Sequence, residues 1–364
     1  MSQTSKSPRR VAQVALHIGQ CALPTYAHRF SPKTYTQPQL FACRVLKQLW
    51  KTNYRGAMVR LQDNPTLQQD LGLQRVPHFT TLQKASRRLL HLQRVGALIR
   101  RTLRAATPRR TVAVAAIDST GFGQTNRSPH CAAAMKRYDE KSLENKGKTL
   151  ARRGFTKLGL LVDTTTHMIH ALHTGMGPQP DVDELQPLLK RCLARRSIGV
   201  LVADAGYDSE ANHQYLRDQL KVRSVIPAKA GRRSDKLPRG RYRRLMRQRF
   251  AKKTYRHRVQ VETVMSMIKR NLDHFTRARK QITRQHEVAI KALTHNIMIL
   301  QRVMGGFLHS LSISVCPIRR ATTPTSLTPT RIGTIVFALP CWNGVCICCP
   351  RGGGMSVPVI RTGN

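Results

Sequence analysis

The stretch that decides the fold is residues 198–226, IGVLVADAGYDSEANHQYLRDQLKVRSVI. It opens with a short, very apolar segment, residues 198–203, which predicts a buried strand that stops at Asp204. The next residues, up to Leu220, predict a helix, and residues 222–226 predict another strand. Strands that alternate with helices in this way are typical of an α/β sheet covered by helices.

The residues before this stretch add further strands. Residues 111–117 form an apolar run rich in Val and Ala, and Asp118 follows it. Residues 158–162 and 168–172 predict a hairpin around three threonines, and residues 181–195 predict an amphipathic helix. Strands in series, followed by strands that alternate with helices, predict a ribonuclease-H-like mixed sheet flanked by helices. We assign this α/β domain to residues 109–304.

The two ends of the chain have a different character. Residues 1–35 are basic and polar, and we predict a flexible arm. Residues 36–108 show helical periodicity and predict a small helical, DNA-binding domain. Its basic segment, residues 76–103, fits either a helix-turn-helix reader of DNA or a helical bundle with a solvated basic face. Residues 305–364 contain no acids and no sustained period, so we predict a disordered tail.

The net charge indicates the partner. The chain has 63 Lys and Arg against 18 Asp and Glu, a formal charge of +45. A basic surface of this size predicts binding to a polyanion, and double-stranded DNA is the first partner to consider. No apolar stretch approaches the roughly 18 residues that span a bilayer, and the start of the chain lacks a signal-peptide core. We therefore expect a protein of the cytoplasm, associated with the nucleoid and not with a membrane.

Two of the few acids stand at comparable places. Asp118 and Asp204 each follow a short apolar strand, at the sheet edge where α/β proteins usually place their chemistry. A turn or helix cap is the structural alternative for either acid. For Asp204 this alternative is weaker, because Asp208 and Ser209 are better placed to cap the next helix.

A third acid lies in a patterned segment near residue 260. On a single helix, with roughly 100° per residue, Tyr255, Arg258, Glu262 and Lys269 fall within an arc of about 60°. One carboxylate thus lies among three groups suited to a phosphate backbone. The preceding residues, 229–254, are rich in Lys and Arg, and we interpret them as a basic connection that tracks DNA.

Together the three acids indicate metal chemistry. Two strand-end aspartates and a helix-borne glutamate are what a pair of Mg²⁺ ions needs, because hard divalent cations prefer carboxylate oxygens. Such a pair supports phosphodiester hydrolysis or transfer. The hypothesis names Asp118, Asp204 and Glu262 as catalytic residues and metal ligands.

These motifs resemble those of a known family. Asp-Ser-Thr at 118–120, Asp-Ala-Gly-Tyr-Asp at 204–208 and the spaced Tyr255, Arg258, Glu262 and Lys269 look like the insertion-sequence DDE transposases of families four and five, over about residues 111–300. The resemblance implies that the three acids bind two Mg²⁺ or Mn²⁺ ions, and that Tyr255, Arg258 and Lys269 contact DNA. It also implies a homodimer on DNA that cleaves element ends and joins the 3′-hydroxyl to target DNA.

Two alternatives share the same residues. A ribonuclease-H-like nuclease would cut DNA without joining it. A catalytically silent relative of a transposase would bind DNA without Mg²⁺-dependent cleavage. Terminal inverted repeats beside the gene would distinguish the transposase from the nuclease.

Overall fold

The structure is a computed structural model. It describes residues 4–106, 111–124, 155–177, 179–193, 197–229 and 237–304. The predicted tail, residues 305–364, and part of the basic connection lie outside the described residues. Within these ranges no helix has the length and apolar character that crossing a membrane requires.

The centre of the fold is a mixed sheet. Its strands are β1 (Thr111–Gln124), β2 (Thr156–Asp163), β3 (Ile169–Met176), β4 (Ser197–Ala203), β5 (Arg223–Val225) and β6 (Phe275–Thr276). The first five are arranged in the order β3-β2-β1-β4-β5, with antiparallel pairs among β1, β2 and β3 and parallel pairs among β1, β4 and β5. This order and these directions are those of a ribonuclease-H-like sheet, so the predicted fold class is confirmed.

Helices precede the sheet, cover it and follow it. The helices before it are α1 (Pro8–Ala22), α2 (Gln37–Leu49), α3 (Tyr54–Gln62), α4 (Pro65–Asp70), α5 (Phe79–Leu89) and α6 (Leu92–Ala106). Those within and after it are α7 (Leu185–Leu193), α8 (Glu210–Gln214), α9 (Arg241–Gln248), α10 (Lys252–Tyr255), α11 (Val259–Leu272) and α12 (Gln281–Met304).

The sheet has two distinct faces. Successive side chains of a strand point to opposite sides. Ala116 belongs to the core cluster that includes α11 and α12, whereas its neighbour Ile117 belongs to the cluster that includes α7. We call these sides the α11 face and the α7 face. By the same alternation, Asp118 and Thr120 lie on the α11 face and Ser119 lies on the α7 face.

Strand β1 is longer than the sequence predicts. It continues through Asp118 to Gln124, so the prediction that Asp118 ends its strand is wrong. The extension is stabilised by β2, since the antiparallel pairing runs as far as Phe122 opposite Thr156. The polar and glycine-rich residues after Asp118 resemble a turn in the sequence, and the partner strand holds them extended. The parallel pairing with β4, in contrast, stops at Ile117 opposite Ala203.

The N-terminal segment differs from the predicted flexible arm over residues 1–35. Residues 8–22 form α1, and Ser7 caps it by accepting a hydrogen bond from the Arg10 N–H. Val11, Val14 and Ile18 are fully buried at helical spacing, and this apolar stripe packs in the core that also contains α2 and α12. Burial of the stripe outweighs the basic, polar composition of the rest of the segment. The N-terminal helices and the α11 face therefore share one core.

Candidate active site

The two aspartates are neighbours in the sheet. The last parallel register between β1 and β4 pairs Ile117 with Ala203, so Asp118 and Asp204 are each the next residue along adjacent strands. The Asp118 Oδ1 accepts the N–H of Ser119 at 2.8 Å, and the Asp204 Oδ1 accepts the N–H of Ala205 at 2.8 Å. These local hydrogen bonds orient both carboxylates at the point where the parallel pairing of β1 and β4 ends, which we call the sheet edge. Ser209 caps α8, as the sequence predicts, with its hydroxyl on the Asn212 N–H.

The segment that carries the four spaced residues is not one regular helix. Tyr255 ends α10, residues 256–258 form a tight 3₁₀ turn, and α11 begins at Val259. Glu262 and Lys269 lie on α11. The chain nevertheless stays helical through all three pieces. The four spaced residues therefore still lie on the side of this segment that faces Asp118 and Asp204.

Each of these side chains has a defined contact. The Arg258 Nη2 lies 2.7 Å from the Glu262 Oε1, and the Arg258 guanidinium carbon lies 5.8 Å from the centre of the Tyr255 ring. The Lys269 Nζ donates to the Thr120 Oγ1 at 2.6 Å. Since Thr120 shares the α11 face with Asp118, Lys269 reaches the aspartate-bearing strand two residues beyond the acid.

The pKa values show that these groups act on each other. Burial raises the pKa of Asp118 to about 6, and the negative charges of Asp204 and Glu262 also raise it, while the Ser119 N–H and Arg258 lower it. Burial also raises the pKa of Tyr255, and the charge and hydrogen bond of Asp204 add to the effect. The acids, Arg258 and Tyr255 therefore form a single electrostatic cluster in which the phenol stays protonated.

The three carboxylates are of the right chemical type to bind a divalent cation, although they are not close enough together to form a complete metal site. Among the described residues, no group of three His, Cys, Asp or Glu side chains is close enough to hold a metal ion. Three carboxylates repel one another, and Glu262 pairs with Arg258 instead. Carboxylate oxygens are the ligands that Mg²⁺ and Mn²⁺ prefer, and a cation would stabilise the ionised form of Asp118, which burial and the charges of Asp204 and Glu262 disfavour.

An ion-pair group behind the aspartates was missed from the sequence. In the sequence, Asp181, Asp183 and Glu184 stand at the start of a predicted helix, where acids favour the positive end of the helix dipole. In the structure residues 181–184 form a 3₁₀ turn, and the Lys157 Nζ lies 2.6 Å from the Asp181 Oδ1 and 3.0 Å from the Glu184 Oε1. The sequence signal is Lys157 itself, a charged residue directly before the apolar run of strand β2.

The basic connection is attached to the sheet domain by acids. Residues 237–254 of this connection contain α9 and all of α10 except its last residue, Tyr255. Glu210 accepts the backbone N–H groups of Tyr242 and Arg243 at 2.9 and 3.1 Å, and the Arg243 Nη2 lies 2.8 Å from the buried Asp208. The Tyr242 hydroxyl donates to Asp218. One side of α9 is therefore fixed, while the opposite side exposes arginines at positions 241, 244 and 247.

The fold and this cluster define a ribonuclease-H-like protein with carboxylates at the sheet edge. The family described as Transposase DDE domain matches residues 112–297, slightly more than half of the chain. The chain belongs to this DDE transposase family, which confirms the resemblance seen in the motifs.

Two further comparisons add little. A solved structure, the Mos1 mariner paired end complex with Mn, is similar at 11% identity over 70% of this chain and 83% of that chain, with a TM-score of 0.20. At this score the likeness supports no inference about the site. No curated protein matches the chain.

Proposed function

We propose that this protein cleaves the ends of a mobile DNA element and joins the freed 3′-hydroxyl to target DNA in a reaction that depends on divalent metal ions. The observation that carries the proposal is the position of Asp118 and Asp204, next to each other on parallel strands and electrostatically coupled to Glu262. Membership of the DDE transposase family supports the same chemistry.

The three acids are the proposed metal ligands. Asp118 and Asp204 come from the sheet edge and Glu262 from α11, and their oxygens would hold Mg²⁺ or Mn²⁺, with two ions as the expected number. When bound, such ions activate the attacking oxygen and stabilise the leaving oxygen of a phosphodiester. For Glu262 to act as a ligand, Arg258 has to release it, and a DNA phosphate is a suitable new partner for the guanidinium.

The remaining residues of the cluster are proposed to bind DNA. Arg258 stays charged at all working pH values and matches a phosphate with two parallel donors. Tyr255 keeps its proton, since its pKa is raised, so its hydroxyl can donate to a phosphate oxygen. Lys269 supplies a further positive charge beside Thr120. These three groups would orient the scissile strand over the acids.

The wider basic surface is proposed to hold the rest of the DNA. The charge of +45 favours double-stranded DNA along several faces. Residues 36–108 and the exposed side of α9 are the proposed contact regions outside the active site. Because two element ends have to be recombined, we propose a homodimer on DNA, located with the nucleoid in the cytoplasm.

A strand-transfer assay with divalent metal tests the proposal. Asp118→Ala, Asp204→Ala and Glu262→Ala should each abolish cleavage and joining of a substrate with the element's ends. Asp183→Ala is the matched control, since Asp183 is an exposed acid outside the cluster. Activity retained by any of the three variants would remove that residue from the site.

The wild-type products separate the alternatives. Cleaved ends without joined product would favour the nuclease. DNA binding that is sensitive to salt, with no cleavage in Mg²⁺ or Mn²⁺, would favour the silent relative.

A further inference from the structure

We infer that Asp181 is a positioning residue that braces Asp118 from the opposite side of the sheet and sets its spacing from the Asp204 loop. The inference rests on the proposed function, because it concerns how the metal-binding acids are held. Asp181 lies on the α7 face, away from α11, and is not itself a proposed ligand.

The first contact of Asp181 is with the strand that carries Asp118. The Ser119 Oγ donates to the Asp181 Oδ1 at 2.6 Å. Ser119 also donates its backbone N–H to the Asp118 carboxylate at 2.8 Å. One residue thus connects the two acids, with its side chain bound on the α7 face and its amide bound to the acid on the α11 face. A shift of Ser119 would therefore move the donor that orients Asp118.

The second contact is with the loop that carries Asp204. A Cβ atom added to Gly206 would lie 2.8 Å from the Asp181 Oδ2, so a side chain at this position would have to displace the carboxylate. The carboxylate is therefore packed directly against the loop backbone two residues after Asp204. Asp181 touches both aspartate-bearing segments, Oδ1 on the β1 side and Oδ2 on the loop side.

Asp181 is itself held by a largely buried group of charges. The Lys157 Nζ lies 2.6 Å from Asp181 and 3.0 Å from Glu184, and it donates to the Gln179 carbonyl at 2.6 Å. Lys157 and Glu184 are only 5% and 2% exposed. Gly159 provides the room, since a Cβ there would lie 2.5 Å from the Glu184 Oε2. Movement of this group would leave a buried charge unpaired, which is costly, so Asp181 is rigidly placed.

The expected consequence is a change in metal affinity. Residues that orient metal ligands from behind typically change the affinity by about 10- to 100-fold when they are replaced. Asp181→Ala removes both the hydrogen bond to Ser119 and the packing against the Asp204 loop. Ser119→Ala removes only the hydrogen bond and leaves the pairing of Lys157 intact, so its effect should be smaller and in the same direction.

The test is a Mn²⁺ titration of the full chain without DNA, followed by electron paramagnetic resonance, with the melting temperature of each variant measured in parallel. Asp181→Ala should bind Mn²⁺ at least about tenfold more weakly than wild type. Leu188→Ala controls for stability, because Leu188 is a buried α7 side chain whose loss destabilises the same face. Asp183→Ala controls for the lost charge. Both controls should bind Mn²⁺ like wild type.

The outcomes separate the inference from the proposed function. If Asp118→Ala loses Mn²⁺ binding while Asp181→Ala and Ser119→Ala bind like wild type, the positioning role is wrong and the metal site stands. Weakening by Leu188→Ala as large as that by Asp181→Ala would also overturn the inference, since general loss of stability would then explain it. If Mn²⁺ binds neither wild type nor any variant, the inference falls, because Asp118 and Asp204 then hold no ion in the absence of DNA, and the strand-transfer assay decides the proposed function separately. If Asp181→Ala does not fold, Ser119→Ala decides the question.

Discussion

Replacing Asp118 with Asn should stabilise the metal-free protein at neutral pH. Burial and the neighbouring acids raise the pKa of Asp118 to about 6 from an ordinary value of 3.8, which means that the folded state disfavours its charge. Asn has nearly the same shape and keeps an oxygen that can accept the Ser119 N–H. The substitution therefore removes an unfavourable charge and retains the local hydrogen bond.

The sign and size of the change in unfolding free energy follow from proton linkage. The pKa of Asp118 is higher in the folded state than in the unfolded state. The protonated carboxyl therefore favours the folded wild-type protein at low pH, and this contribution to the unfolding free energy is lost as the pH rises through about 6. At about 1.4 kcal/mol for each pKa unit, the full cost of the charge is about 3 kcal/mol above pH 7. At about pH 4.5 the cost is only about 1 kcal/mol, so the advantage of the variant should grow by about 2 kcal/mol between about pH 4.5 and 7.5.

The assay is urea unfolding of wild type and Asp118→Asn in EDTA at the two pH values. Urea is chosen because guanidinium chloride would screen the high net charge of the chain. Asp63→Asn, at an exposed position at the end of α3, is the control for removal of a carboxylate from the surface. Equal stability of wild type and Asp118→Asn at about pH 7.5, or an advantage that shrinks as the pH rises, would refute the reasoning.

Two further predictions concern other charges. Burial, with Arg44 adding, lowers the pKa of Lys47 to about 7 from 10.5, so folding releases a proton and the unfolding free energy should rise with pH above about 7. Lys47→Met should reduce that slope between about pH 7 and 9 by up to about 1.4 kcal/mol per pH unit in urea titrations, and an unchanged slope would contradict the assignment. The second prediction concerns DNA binding: Arg241→Gln and Arg244→Gln on α9 should each reduce the slope of log affinity against log salt concentration by up to about 0.9. Lys190→Gln on α7 is the control and should leave the slope at the wild-type value. If the slopes of the two α9 variants equal that of Lys190→Gln, α9 is excluded from the DNA interface.

The strands of the sheet were largely predictable because they are apolar and short. The hairpin of β2 and β3 and the strand before Asp204 follow directly from hydrophobic runs and the threonine turn between them. The second half of β1 was not predictable in this way. Apart from Phe122 its residues are polar or glycine, and they are kept extended by pairing with β2, more than thirty residues away in the sequence, and with β6 at the end of the strand.

The site was predictable as a set of residue types and not as an arrangement. The sequence proposes Asp118, Asp204 and Glu262 as ligands from the apolar runs before the two aspartates and from helical spacing around the glutamate. The spacing of Arg258 and Glu262, four residues apart, allows an ion pair on a helix, but whether it forms depends on rotamers. The 3₁₀ turn before α11 depends on tertiary packing and has no sequence signal. Asp181 lies in the first turn of the predicted helical segment, as the sequence indicates, but its side-chain partners, Ser119 and Lys157, come from two other strands.

The two-residue period of β1 gives a physical meaning to the Asp-Ser-Thr motif, which by itself indicates little. Asp118 and Thr120 point to the α11 face, where one is a proposed metal ligand and the other binds Lys269. Ser119 points to the α7 face and binds Asp181. Positions on the α11 face and the α7 face therefore alternate along three consecutive residues, and Ser119 anchors the strand to Asp181, which is paired with the buried Lys157. Because a one-residue slip of β1 would exchange the two faces, the pairing of Ser119 with Asp181 also fixes the register that presents Asp118 beside Asp204.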